Sequence, residues 1–154
     1  MYSPSKLEDL LEMRGELRLL LTGEDGQVKE DVSVPNLVVS VGKGLIANRM
    51  QAAPTQNAMS HVAVGTTGTA PAAGDTQLGA EVAGSRTALT SATVAAAIIT
   101  YVAQLAPGVG TGALVEAGLF NAAAAGQMLA RTTFAVINKA AGDTLNITWT
   151  VTVG

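Results

Sequence analysis

Residues 144–153 read Thr144-Leu145-Asn146-Ile147-Thr148-Trp149-Thr150-Val151-Thr152-Val153. Apolar side chains alternate with hydroxyl or amide ones without a slip, a period of two built largely from β-branched and aromatic residues. Successive side chains of a strand point to opposite faces, so one face of this segment buries and the other is lined by Thr and Asn. Such a segment is a half-buried strand of an antiparallel sheet.

The same alternation recurs upstream. Leu17, Leu19 and Leu21 share a face within residues 16–22, Gly23-Glu24-Asp25-Gly26 is a turn, and Val28, Glu30, Val32 and Val34 return as the second arm of a hairpin. Pro35-Asn36 is expected to break that ladder, with Leu37-Val38-Val39-Ser40-Val41 continuing as a more deeply buried strand. Residues 43–50 read as two turns of helix with Leu45, Ile46 and Met50 inward, and residues 51–59 as a loop. A short strand is expected over His61–Gly65 and a loop without periodicity over residues 66–75. Two strands follow, around residues 86–89 and 94–105, then a glycine turn over residues 107–112. Residues 113–120 and 128–136 pair across the Asn121-Ala-Ala-Ala-Ala-Gly126 turn, with Met128, Ala130, Thr132, Phe134 and Val136 on one face. Residues 140–143 turn into the final strand. Short strands punctuated by glycine turns predict an all-β domain, an antiparallel β-sandwich of jelly-roll-like type.

The N-terminus reads differently. Ser3 can cap a helix, Pro4 suits its first position, and Ser5 with Glu8 has capping-box spacing. Leu7, Leu10 and Leu11 line one face, and Gly15 ends the helix. The organisation expected is therefore a helical arm over residues 1–15 and a β-sandwich over residues 16–154. A helix of fewer than three full turns does not hold alone in water, so the arm must dock, on its own domain or on a neighbour. Leu7, Leu10 and Leu11 are the candidate partner-contact residues.

Composition narrows the function classes. The 154 residues are 48% hydrophobic and only 14% charged, against roughly 25% charged in ordinary soluble domains. A chain with so little charge reads as one whose surface is covered by something else. Net charge is -3, and Lys43, Arg49, Arg86, Arg131 and Lys139 are scattered singly. Nucleic acid is therefore not an expected partner, because phosphate neutralisation needs a basic stripe. Cysteine is absent, which removes disulfides and thiolate chemistry. The polar N-terminus does not read as a secretion signal. The Ala-rich residues 92–103 are interrupted by Thr93, Thr100 and Tyr101 and fall short of the roughly 20 residues that span a bilayer. No membrane partner is expected.

Little in the chain points to catalysis. The single histidine, His61, follows Ser60, but no G-x-S-x-G elbow is present. One His and no Cys leave a metal only carboxylates, without a calcium-loop pattern. Glu24-Asp25 and Glu30-Asp31 flank a turn, and nothing in the spacing of Asp75, Glu81, Glu116 and Asp143 brings a catalytic pair together. Gly108-Val109-Gly110-Thr111-Gly112 lacks the full dinucleotide fingerprint, and Gly42-Lys43-Gly44 lacks Walker spacing. The Asn146-Ile147-Thr148 sequon sits inside a strand. No catalytic, cofactor-binding or metal residue is assigned, and the chain reads as a non-enzyme.

An ordered set of motifs carries a resemblance. Asn36-Leu-Val-Val-Ser-Val-Gly-Lys43, Met59-Ser-His-Val-Ala-Val-Gly65 and Ala70-Pro-Ala-Ala-Gly-Asp75 with Leu78-Gly79 form its first half. Thr111-Gly-Ala-Leu-Val-Glu-Ala-Gly-Leu-Phe-Asn121, Met128-Leu-Ala-Arg-Thr-Thr-Phe134 and Asn138-Lys-Ala-Ala-Gly-Asp143 leading to Thr148-Trp149-Thr150 form its second. From about residue 16 to the end, the chain resembles small structural virion proteins of tailed bacteriophages. The resemblance implies location in the virion, after assembly in the host cytoplasm. It also implies one of two roles: head decoration (cement) protein, or module of a tail, collar, baseplate or fibre. A fibre module usually carries a shaft of repeats or heptads, and none is visible, which favours decoration. The partners expected are then the major capsid protein, other copies of the chain, or both, with the protein itself a homo-oligomer.

Overall fold

The alternating C-terminal segment forms β9 (Thr144–Val153), with Leu145, Ile147, Trp149 and Val151 buried. The computed structural model describes residues 11–154. In it β9 lies between β1 (Met13–Thr22) and β6 (Ile98–Leu105), antiparallel to both. The two registers align three apolar rows across the sheet: Leu17–Trp149–Tyr101, Leu19–Ile147–Ala103 and Leu21–Leu145–Leu105. Each row buries its side chains on the same face, which is the consequence of the period of two.

The remaining strands are β2 (Val28–Val38), β3 (His61–Gly65), β4 (Thr87–Ala88), β5 (Ser91–Ala95), β7 (Gly112–Phe120) and β8 (Met128–Lys139). All nine form one antiparallel sheet in the order β4-β3-β7-β8-β2-β1-β9-β6-β5. The fold is all-β and antiparallel, as the sequence predicts. Its two layers come from one sheet curled into a half-barrel, not from two separate sheets. The curl is made at β2, which pairs with β1 up to Asn36 and then passes to β8 through Leu37 and Val38. Leucines of β1, Trp149 of β9, Val62 and Val64 of β3, Leu119 of β7 and Ile137 of β8 meet in one core. The sheet's two ends are linked by the chain without pairing to each other: only Leu89 and Thr90 separate β4 from β5. The Leu89 N–H donates to the Ser60 carbonyl at 2.8 Å and the Thr90 N–H to the Val102 carbonyl at 2.7 Å.

Five local expectations are corrected. Pro35-Asn36 does not end the strand; Pro35 lies opposite Glu16 and Asn36 opposite Gly15. Proline cannot donate to a ladder, and here it stands where β2 changes partner, its carbonyl accepting from the Thr132 hydroxyl at 2.6 Å. Residues 40 and 41 are not strand, because α1 (Ser40–Arg49) starts three residues earlier than expected. Leu45 is buried and Ile46 packs on the core, but Met50 is 82% exposed. Residues 94–105 do not form one strand. They split into β5 and β6 around Ala96, which adopts φ 51°, and an Ala-Ala corner carries none of the usual turn residues.

In β8, Leu114 pairs with Ile137 but Glu116 with Thr133, so β8 carries two extra residues. This bulge turns Val136 outward while Phe134 and Ile137 stay buried. The fifth correction concerns the arm. Residues 13–15 belong to β1, so the boundary at residue 15 falls too late and Gly15 does not end a helix. The rest of the helix expected, with Leu7 and Leu10, lies outside the described residues.

Candidate interaction site

The outer face of the β3–β7–β8 limb is covered by the irregular residues 66–86 and by the start of α1. Val39, Ala63, Leu78, Phe120 and Met128 form a second, smaller core there. What pins the irregular segment is a buried ion cluster. Glu116 on β7 is fully buried. Its Oε1 accepts from the Ala80 N–H at 2.8 Å and the Thr67 N–H at 3.3 Å. Its Oε2 accepts from the Gly79 N–H at 3.0 Å and from Arg131 Nε and Nη2 at 3.0 and 2.8 Å. Arg131 on β8 also donates to Asp75 Oδ2 at 3.0 Å and to the Thr69 carbonyl at 2.9 Å. Asp75 in turn accepts from the Ala72 N–H at 2.9 Å. The fold thus brings Asp75 and Glu116 to one guanidinium, a convergence that nothing in their spacing along the chain signals. Both carboxylates are committed to donors, so the arrangement holds a loop in place.

Arg86 is consumed in the same way. Its Nε and Nη2 fork the Glu81 carboxylate at 3.0 and 2.6 Å. Its guanidinium carbon stands 3.7 Å from the centre of the Phe120 ring, and Nη1 donates to the Ala125 carbonyl at 2.8 Å. These groups wall a shallow cleft of about 480 Å³.

Lys139 is buried, its Nζ donating to the Ala106 carbonyl at 3.1 Å. Desolvation pushes its pKa below the ordinary lysine value, opposed by nearby Asp143. Asp143 is buried as well and accepts from Lys29 Nζ at 2.7 Å and from the Ala140 N–H at 2.8 Å. The Lys29 hydrogen bond, then the Ala140 one, hold its carboxyl below the usual carboxylate range.

Residues 51–154 contain seven charged side chains: Asp75, Glu81, Arg86, Glu116, Arg131, Lys139 and Asp143. Each one is ion-paired or buried inside the domain. Two thirds of the chain therefore offers its surroundings Ala, Thr, Ser, Gly and amide groups with no free charge.

Of the three candidate contact residues, Leu11 alone is described. It is 67% exposed and lines an apolar groove of about 510 Å³ with Met13, Leu37, Val38, Ile46 and Met50. The His61 ring nitrogen Nδ1 lies 2.8 Å from Ser60 Oγ. Among the described residues no carboxylate hydrogen-bonds that ring to orient it as a general base would require. No helix among the described residues is long and apolar enough to cross a membrane.

The ion cluster was missed because its members are far apart in sequence. A signal was present: Glu116 is the one charge of β7, and Arg131 is an opposite charge within the apolar first half of β8, its hairpin partner. With the fold described, comparisons against family models, curated proteins and solved structures give no match to the chain.

Proposed function

We propose that this protein is a non-enzymatic structural component of a tailed-bacteriophage virion, a capsid decoration protein that binds the outer shell and stabilises seams between capsomers. The observation that carries the reading is the fate of the charges. A domain that faces water on all sides keeps free charged side chains on its surface, whereas residues 51–154 pair or bury every one of theirs within the domain, Glu81 staying exposed but forked by Arg86. A surface of that kind suits a protein held against others. Apolar contact contributes about 25 cal/mol per Å² in gross free energy, less the cost of association. Repetition over many copies adds avidity that a single contact lacks. The commitment of Glu116, Asp75, Glu81 and Asp143 to internal donors supports the non-enzymatic part of the reading.

Quantitative mass spectrometry of the purified virion tests the proposal. Copies comparable in number to the major capsid protein are expected for a decoration protein. A few to a few dozen copies would overturn decoration in favour of a tail, collar, baseplate or fibre position.

A further inference from the structure

The free edge of β5 has the properties of an interface strand. All five of its residues are exposed, Val94 by 72%. Among the described residues β5 pairs with β6 alone and ends the sheet order. Val94 stands opposite Ile99 and Ala92 opposite Tyr101, and both of those partners pack on the core. Val94 therefore belongs to the inner face of the sheet. It is uncovered where the opposite limb offers only the two residues of β4.

An antiparallel edge strand directs alternate N–H and C=O groups outward, which makes it a template for another strand. Proteins blunt such edges with lysine, proline or a bulge, or cover them. β5 has none of the first three: it reads Ser-Ala-Thr-Val-Ala in regular register with β6. No Asp, Glu, Lys or Arg occurs between Arg86 and Glu116.

We propose that β5 pairs edge to edge with β5 of a second copy of this chain, antiparallel across a two-fold axis centred on Thr93. A two-fold contact requires one surface to be complementary to itself. An antiparallel copy of β5 presents the matching row of backbone groups, and the absence of charge means that it meets no like charge. In this register Thr93 faces Thr93, and each Val94 meets Ala92 of the second copy on the inner face. Opposed Thr pairs and apolar pairs are favourable across strands. Two five-residue strands bury less than the roughly 1,200–2,000 Å² of a stable complex, so the pairing is weak and reversible in free solution. It is a property of this chain alone and stands apart from the proposed place in the virion.

Because the chain has no cysteine, a single introduced thiol reports the contact. Opposed residues of an antiparallel pair have Cα atoms roughly 4.5–5.5 Å apart, within reach of a disulfide. Thr93→Cys is expected to form a disulfide-linked dimer under mild oxidation at least about tenfold faster than a control thiol at the exposed loop position Ala53. Adding Val94→Lys, or separately Ala92→Lys, to Thr93→Cys is expected to abolish that advantage while circular dichroism shows an unchanged melting curve. Crosslinking no faster than the Ala53→Cys control, or crosslinking that both lysines leave intact, would overturn the proposal.

Discussion

Trp149 shows how one side chain fixes several others. Its indole Nε1 donates to Asn36 Oδ1 at 2.8 Å, tying β9 to β2 across the intervening β1. The Asn36 amide reaches it by lying over Gly15, where a Cβ would collide with Asn36. Trp149→Phe keeps most of the apolar volume but orphans a partly buried acceptor. A loss of about 1–3 kcal/mol in urea unfolding is expected. Arg131 is the second such residue. Arg131→Met strands the buried Glu116 carboxylate and frees Asp75, and about 3–5 kcal/mol of destabilisation is expected by the same assay. The Glu116→Gln/Arg131→Met double variant should lose less than the two single losses combined, because it removes both charges together.

At the scale of elements, the β8 bulge and the turn over residues 140–143 each make a separate test. The bulge assigns Val136 to solvent and Ile137 to the core. Val136→Thr is expected to change stability by no more than about 0.5 kcal/mol, whereas Ile137→Ala should cost about 2–5 kcal/mol. A regular β8 would give Val136 a core cost instead. The turn links to the first hairpin through Asp143 and Lys29. Asp143 is held below the ordinary carboxylate range when folded, so as pH falls the unfolded chain takes up the proton first. That stabilisation is complete above the ordinary carboxylate pKa of about 4 and is lost as pH drops through the lower folded value. Lys139 is also depressed, so stability rises with pH from its folded pKa towards the ordinary lysine value of about 10.4. Denaturant unfolding across pH should show the acid loss, and Asp143→Asn should flatten it while lowering stability near neutrality.

At the scale of the whole molecule, the charges divide the chain. The exposed Arg18–Asp31 pair, forked at 2.9 and 2.8 Å, belongs to the first fifty residues, as do the acids of the Gly23–Gly26 turn. Later charges are all buried or paired within the domain, Glu81 being the exposed one. Attachment through Leu7 and Leu10 is tested by a deletion that respects the observed start of β1. Removing residues 1–10 leaves Met13 and Arg14 in the sheet. The truncated protein is expected to melt within about 2 °C of the full chain and to bind shells stripped of the protein more weakly. Full binding would remove the N-terminal leucines from the contact.

Local alternation was enough to read most strands. The β1–β2 hairpin and β9 were legible because each has one apolar face and turn residues at its ends, and β3 and β7, buried on both faces, because each is a short apolar run bounded by such residues. The strand class followed from that period, and so did the burial of Trp149. Three features were decided only by the tertiary structure. The sheet curls because β2 exchanges β1 for β8, a choice of partner that no local pattern encodes. Val136 faces out because two extra residues of β8 are accommodated against β7, and register is a property of the pair. Asp75, Glu116 and Arg131 converge because the hairpin and the long irregular segment fold onto one face. Period, turn chemistry and charge scarcity are written along the chain; partner choice, register and the meeting of distant charges come from long-range packing, where burial selects among arrangements that local sequence leaves equivalent.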